Sequence, residues 1–215
     1  MVDIVTDFAF KDDRSYLHST TMCEFIGLKV LPALGMNSPA ILLDARFHRI
    51  AAKNGIIRCL EKQAKPGVYP GLAAEFKLSS GSSVHYAYFL ENESPVRERV
   101  QSNYQIEDLK LATPFGGSCR TMITDLRSLL ENTIEANKRF HQATLPQKGI
   151  KVVNLFMKRF PLYPIFSRKG WYTLNIRHIG SRRHDNGIAT INLLSFAEED
   201  IPAFEMCYFL PGVSA

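Results

Sequence analysis

No CxxC occurs in this 215-residue sequence, and no pair of its cysteines has the spacing of a metal site. The four cysteines, Cys23, Cys59, Cys119 and Cys207, are scattered, so neither a zinc site nor a disulfide framework is expected. Buried free thiols are the expected state, and nothing implies a metal or a cofactor. No apolar run approaches the roughly 18 residues of a membrane span. The opening MVDIVTDFAF has neither the basic start nor the long apolar core of a signal peptide, which makes the cytoplasm the expected location. Charge is also scarce. A net +5, with a pI near 9.0, is weak for a dedicated nucleic-acid binder and suits a phosphate-bearing ligand or an acidic partner. What is present is ordinary globular composition: 46% hydrophobic residues against 22% charged ones, enough for one large domain or two small ones sharing a core.

Two loop-to-helix passages stand about a hundred residues apart. In the first, Ser19, Thr20 and Thr21 precede the helically spaced Met22, Phe25, Ile26, Val30 and Leu34. Glu24, three residues beyond Thr21, makes Thr21 the preferred cap. Pro32 predicts a kink or an early end, and Gly35 a stop. In the second, Ala112 to Glu135, a Gly-Gly turn runs into an amphipathic helix predicted from about Ser118 to His141, with Met122, Leu126, Leu129, Leu130, Thr133 and Ile134 as its apolar stripe.

Strand texture surrounds both. DIVTDFAF reads as a first strand. Lys53-Asn54-Gly55 predicts a hairpin turn between AILLDARFHRIAA and GIIRCLEK, and SSGSS another between LAAEFKL and VHYAYFLE. Ile106 to Leu111 reads as a short strand. GIKVVNLFMKRF, PIFSRKG, WYTLNIRHIG and GIATINLLSF follow, the last two joined across SRRHDN, and MCYFLPG adds a final strand. The two halves, residues 1–98 and 104–215, therefore share a β-α-β-β-β-β order. Thr21-Met22 lies opposite Thr121-Met122, and the VHYAYFLENESP strand opposite GIATINLLSFAEEDIP.

An α+β chain in this order can bury each helix by wrapping a sheet around it. The order resembles the hotdog fold of acyl-thioester thioesterases and dehydratases, and two such halves resemble the double-hotdog arrangement with two long helices. FGGSCRTMITD looks like the Gly-Gly turn, helix start and helical Asp of the thioesterase branch, with Phe115 where many members carry His. The resemblance implies a thioester carbonyl held by the amides of Gly116, Gly117 and Ser118 at a positive helix end. It also implies acid/base work by a composite pair drawn from His18 and Asp125 or Glu24. The implied partners are acyl-CoA or an acyl carrier protein, with Arg182 and Arg183 of the basic hairpin receiving phosphates. No membrane span enters this reading, and a homodimer stays open.

Two other classes stay open as well. Asp44 with Glu75-Phe76-Lys77 fits the D…ExK pattern of metal-dependent nucleases, in which two carboxylates hold Mg²⁺. A non-catalytic acyl- or partner-binding protein would use the same groove without turnover. Cys119 near a helix start would be a reactive thiol if exposed and an inert one if packed.

Overall fold

Buried and half-exposed side chains alternate along most of the strands, the period-two pattern of a sheet with one covered face. The computed structural model describes residues 1–36, 40–64, 69–144, 153–162, 169–198 and 201–212. Two units divide the chain: Met1–Ser102 with Phe160–Tyr163, and Asn103–Arg159 with Pro164–Ala215.

The first unit begins with β1 (Val2–Val5) and β2 (Ala9–Lys11). Helix α1 (Ser19–Phe25) passes through a π-helical turn (Ile26–Val30) into α2 (Leu31–Ala33). Strands β3 (Ala40–Phe47), β4 (Lys53–Leu60), β5 (Leu72–Ser80), β6 (Ser83–Pro95) and β7 (Glu98–Val100) follow. Its sheet runs β1-β4-β6-β5-β3, every pair antiparallel, while β2 and β7 form a separate parallel pair. Ile57, Cys59, Phe76, Leu78, Ala87 and Phe89 turn inward, and Phe8 bridges Phe25 of α1 and Phe89 of β6 with ring centroids 5.1 Å from each.

Three local expectations change here. The cap of α1 is His18, not Thr21: Thr20 N–H donates to His18 Nδ1 at 3.4 Å, and the same nitrogen lies 2.9 Å from Thr20 Oγ1. Pro32 has no N–H to give, and the helix widens just before it, Leu31 N–H reaching back to Ile26 O. The first helix is therefore broken rather than long. It stops at Gly35, as the sequence predicts, with φ +67°. Asn54-Gly55 is not a hairpin turn but lies inside β4, and β3 and β4 are not neighbours. Gly55 is there because β6 comes close: a Cβ would stand 2.0 Å from Leu90 O. Asn54 ties the strand down, accepting from Phe8 N–H at 2.8 Å and donating to Pro95 O at 3.1 Å. The SSGSS hairpin does form, with Ser80 opposite Ser83 and Gly81 at φ +58°.

The second unit contains β8 (Ile106–Thr113), β9 (Gly116–Ile123), the long helix α3 (Leu126–Thr144), β10 (Val153–Pro161, except its last two residues), β11 (Gly170–His184), β12 (Gly187–Phe196) and β13 (Phe204–Pro211). The PIFSR part of PIFSRKG lies outside the described residues. The sheet runs β10-β13-β12-β11-β9-β8, again antiparallel throughout. Residues 116–123 are a strand, which corrects the helix predicted from Ser118. Cys119, Thr121 and Ile123 alternate as buried positions along it. Gly-Gly and the β-branched Thr121 and Ile123 favour that geometry over a helix.

Asp125 caps α3. Ser128 N–H donates to Asp125 Oδ1 at 2.8 Å, and Asp125 N–H returns to Ser128 Oγ at 3.0 Å, a reciprocal box. Burial alone would raise the Asp125 carboxyl. The Ser128 N–H and hydroxyl, the Thr124 hydroxyl and the Arg127 charge outweigh it and hold the group below its ordinary value. Asp125→Ala is expected to cost about 1 kcal/mol in a chemical melt. Asp125→Asn should cost much less, since it still accepts from Ser128. A neutral Asp125→Ala would show that the cap contributes nothing.

Strands β11 and β12 continue to a two-residue turn, Asp185-Asn186, so most of SRRHDN is strand rather than loop. The element order of the two units matches, but their threading does not. Counted from β1 in the first unit and from β9 in the second, the third place is held by β6 and by β12, and the fourth by β5 and by β13. In chain order these are the fourth and third strands after the helix in the first unit, and the third and fourth in the second. No helix among the described residues is long and apolar enough to cross a membrane.

Candidate functional site

Leu130, Ile134, Asn137 and His141 follow one another along a single stripe of α3, and all four are buried. The stripe thus changes from apolar to polar in its last two turns. Facing it are Thr190 and Asn192, two apart on β12, with His178 opposite Asn192 in the β11–β12 register. His178 continues the inward series Leu174, Ile176.

These side chains form one connected line. Asn192 Nδ2 donates to Asn137 Oδ1 at 2.5 Å and to His141 Nε2 at 3.2 Å. Thr190 Oγ1 lies 3.1 Å from the same imidazole nitrogen. His178 Nδ1 lies 3.0 Å from Asn192 Oδ1, and Ser181 Oγ 2.9 Å from His178 Nε2. Asn192 Oδ1 can only accept, so His178 carries a proton on Nδ1, and its Nε2 pairs with the Ser181 hydroxyl. By the same logic His141 presents the lone pair of Nε2 and carries its proton on Nδ1. Burial, with the charge of His178 adding to it, pulls the His141 imidazole down to about 4. It is a neutral base at neutral pH.

Asn137 Nδ2 is buried without a well-formed hydrogen bond, its amide turned to the Tyr208 hydroxyl. A buried donor so weakly paired costs up to roughly 1–3 kcal/mol. Tyr208 closes the inner end, its ring 5.6 Å from that of His141 and its hydroxyl on Ile134 O at 3.3 Å. At the outer end Phe115, on the β8–β9 turn, stacks over His178 with ring centroids 6.2 Å apart, and His178 N–H donates to Phe115 O at 2.8 Å.

The residues singled out in the sequence fall elsewhere. Gly116 and Gly117 are in β9, opposite Arg177 and Ile176, so their amides do not head a helix. Gly117 is needed for close packing, since a Cβ would come 2.6 Å from Lys110 O. Ser118 follows them in the strand, opposite Asn175. Cys119 is buried and its thiol is pushed up to about 11 by burial, which makes it inert. Arg182 and Arg183 are exposed near the free end of β11. His18, half-buried, and Glu24, buried, belong to the first unit, on α1 and its cap.

Asp44, Glu75 and Lys77 do meet on one face of β3 and β5, with Asp44 opposite Lys77. Arg46 lies between the carboxylates, 2.8 Å from Asp44 Oδ2 and 3.4 Å from Glu75 Oε1. A guanidinium therefore holds the place a metal would need. No group of three His, Cys, Asp or Glu with metal-binding geometry occurs among the described residues.

His141, Asn137, Thr190 and Asn192 were not identified from sequence. The available signal was the helical stripe, where Asn137 and His141 continue the positions of Leu130 and Ile134.

No family model matches the sequence, and no curated protein matches it. Solved structures do. The dehydratase domain of RzxB from Pseudomonas fluorescens is similar over 97% of this chain and 94% of its own, at 12% identity and a TM-score of 0.51. The tesB protein of Mycobacterium avium subspecies paratuberculosis is similar over 97% and 93%, at 6% identity and a TM-score of 0.53. A Lactobacillus plantarum chain assigned as an oleoyl thioesterase is similar over 98% and 95%, at 12% identity and a TM-score of 0.50. With antiparallel strands and one long helix in the second unit, and these likenesses over nearly its whole length, the chain has a hotdog fold.

Proposed function

We propose that this protein acts on acyl thioesters carried by coenzyme A or an acyl carrier protein, by hydrolysis or by dehydration of a hydroxyacyl chain, in a double-hotdog arrangement with one hotdog in each unit. The observation that carries the reading is the weakly paired Asn137 Nδ2, joined through Asn192 to the neutral imidazole of His141. A thioester carbonyl oxygen is a stronger acceptor for Asn137 than the Tyr208 hydroxyl, and accepting that bond polarises the carbonyl. His141 takes the proton from the attacking water or from the carbon next to the carbonyl. Thr190 supports both states, since a hydroxyl can donate to the neutral nitrogen and accept from the protonated one. Arg182 and Arg183 receive the phosphates of the carrier. Within the first unit, His18 and Glu24 are the candidates for an acid/base pair.

The test is a panel of saturated acyl-CoA and 3-hydroxyacyl-CoA substrates, followed by thiol release and by enoyl absorbance. Turnover on either set is expected, reduced about 100-fold or more in Asn137→Ala and His141→Gln while both variants still bind substrate. Binding without turnover by the unsubstituted protein would make it an acyl-binding protein instead. Full activity in both variants would move the chemistry away from α3.

A further inference from the structure

The outer face of the first unit's sheet carries a cleft of about 150 Å³, lined by Asp44 and Arg46 of β3, Glu75 and Lys77 of β5, and Tyr86 and Tyr88 of β6. Strand register places them together: Asp44 lies opposite Lys77, Arg46 opposite Glu75, Lys77 opposite Tyr86 and Glu75 opposite Tyr88. Gln63, from the stretch after β4, completes the wall, and Ala64 N–H fixes that stretch by donating to the Tyr88 hydroxyl at 2.8 Å. The cleft is thus a built feature with a side wall.

Its polar groups are incompletely used. Arg46 engages Asp44 through Oδ2, which leaves Asp44 Oδ1 buried with no hydrogen-bond partner. Lys77 Nζ lies 5.8 Å from the Tyr86 ring centroid, and among the described residues no carboxylate is within ion-pair distance of it. A buried carboxylate oxygen needs a donor, and a partly covered ammonium group needs an acceptor. Two carboxylates and two cations leave the cleft with no net charge. A simple cation would meet Arg46 and Lys77, and a simple anion would meet Asp44 and Glu75. A dipolar molecule avoids both conflicts. The volume corresponds to about five waters at roughly 30 Å³ each, which limits the ligand to a small one.

We propose that this cleft binds a small zwitterion of the amino-acid type, its ammonium group donating to Asp44 Oδ1 and its carboxylate pairing with Lys77. The tyrosines hold the ligand's body, and Arg46 keeps Asp44 turned inward. The site draws on first-unit residues alone. It stands or falls separately from the thioester reading, which rests on α3 and β12.

The experiment titrates the full chain calorimetrically with the free amino acids, and with ethylamine, acetate and magnesium chloride as single-charge probes. Amide chemical shifts of the unsubstituted protein are mapped in parallel. At least one amino acid should saturate a single site, with shifts centred on residues 44–46, 75–77 and 86–88. Asp44→Asn and Lys77→Met should each weaken that binding at least 10-fold, as should offering ethylamine or acetate alone. The proposal is overturned if no amino acid saturates at millimolar concentration, or if the shifts lie elsewhere. It is equally overturned if a single-charge probe binds as tightly or both variants bind normally. Should either variant fail to fold, the shift map of the unsubstituted protein decides.

Discussion

Asn192→Ala is expected to lower folding stability by on the order of 4 kcal/mol, read as a shift in the denaturant midpoint at unchanged slope. One amide serves three partners here, Asn137 Oδ1, His141 Nε2 and His178 Nδ1, and its removal leaves all three short of a bond. Asn137 and His141 are buried, so water does not replace what is lost there. His178 is half-buried and recovers part of its loss from solvent. The exposed Asn175, on the neighbouring strand, is the control, and Asn175→Ala should change stability by under about 0.5 kcal/mol. An Asn192→Ala cost below about 1 kcal/mol would mean that the polar line is not holding α3 to the sheet.

The second large effect is on pH. The His141 imidazole is held at about 4 in the folded protein, against 6.5 as its ordinary value, first by burial and then by the charge of His178. Between those values the unfolded chain binds a proton that the folded chain refuses, so stability rises with pH across this window. The contribution is complete above about 6.5 and is lost as pH falls towards 4, amounting to about 3 kcal/mol. The carboxylates whose values are lowered, Asp3, Asp12, Glu91, Asp125 and Glu198, act near and under their ordinary values of 3.8 and 4.5, and so add to the slope only at the acid end of this range. Urea melts from about pH 5 to 7 should therefore show a slope that His141→Leu removes. A slope of the same size in His141→Leu would assign it to another group.

Much of the fold is legible in the sequence where local chemistry and tertiary context agree. Ser-Ser-Gly-Ser-Ser needs a left-handed residue at its turn, and Gly81 supplies one. Gly35 ends the first helix for the same reason. Where the two disagree, sequence reasoning fails in a specific way. Met122 and Leu126 are four apart, a helical spacing, yet Cys119, Thr121 and Ile123 are two apart, a strand spacing. Both periods are present between Gly116 and Leu130, and only the pairing of β9 with β8 and β11 decides between them. Asn54-Gly55 carries a turn signal, but its glycine answers to a carbonyl 35 residues away in the chain, that of Leu90. The candidate site was hidden for a related reason. Asn192 is 51 residues from His141 and 55 from Asn137, and neither strand nor helix alone marks its polar residues as inward-facing.

The exchanged strand places have a consequence for how the chain assembles. In the second unit β11, β12 and β13 pair in the order in which they are synthesised, the first two across a two-residue turn. In the first unit β5 and β6 form a hairpin between sequence neighbours, while β4 joins β6 and β3 joins β5 across longer connections. Closing short loops costs less chain entropy than closing long ones, and topologies rich in local pairing fold faster. Pulse-labelled hydrogen exchange during refolding should then protect the amides of Ile188 to Leu194 before those of Ile56 to Leu60. The half of the molecule that carries the helical stripe of Asn137 and His141 would be the first to exist, serving as the nucleus while its neighbour is still a tethered coil.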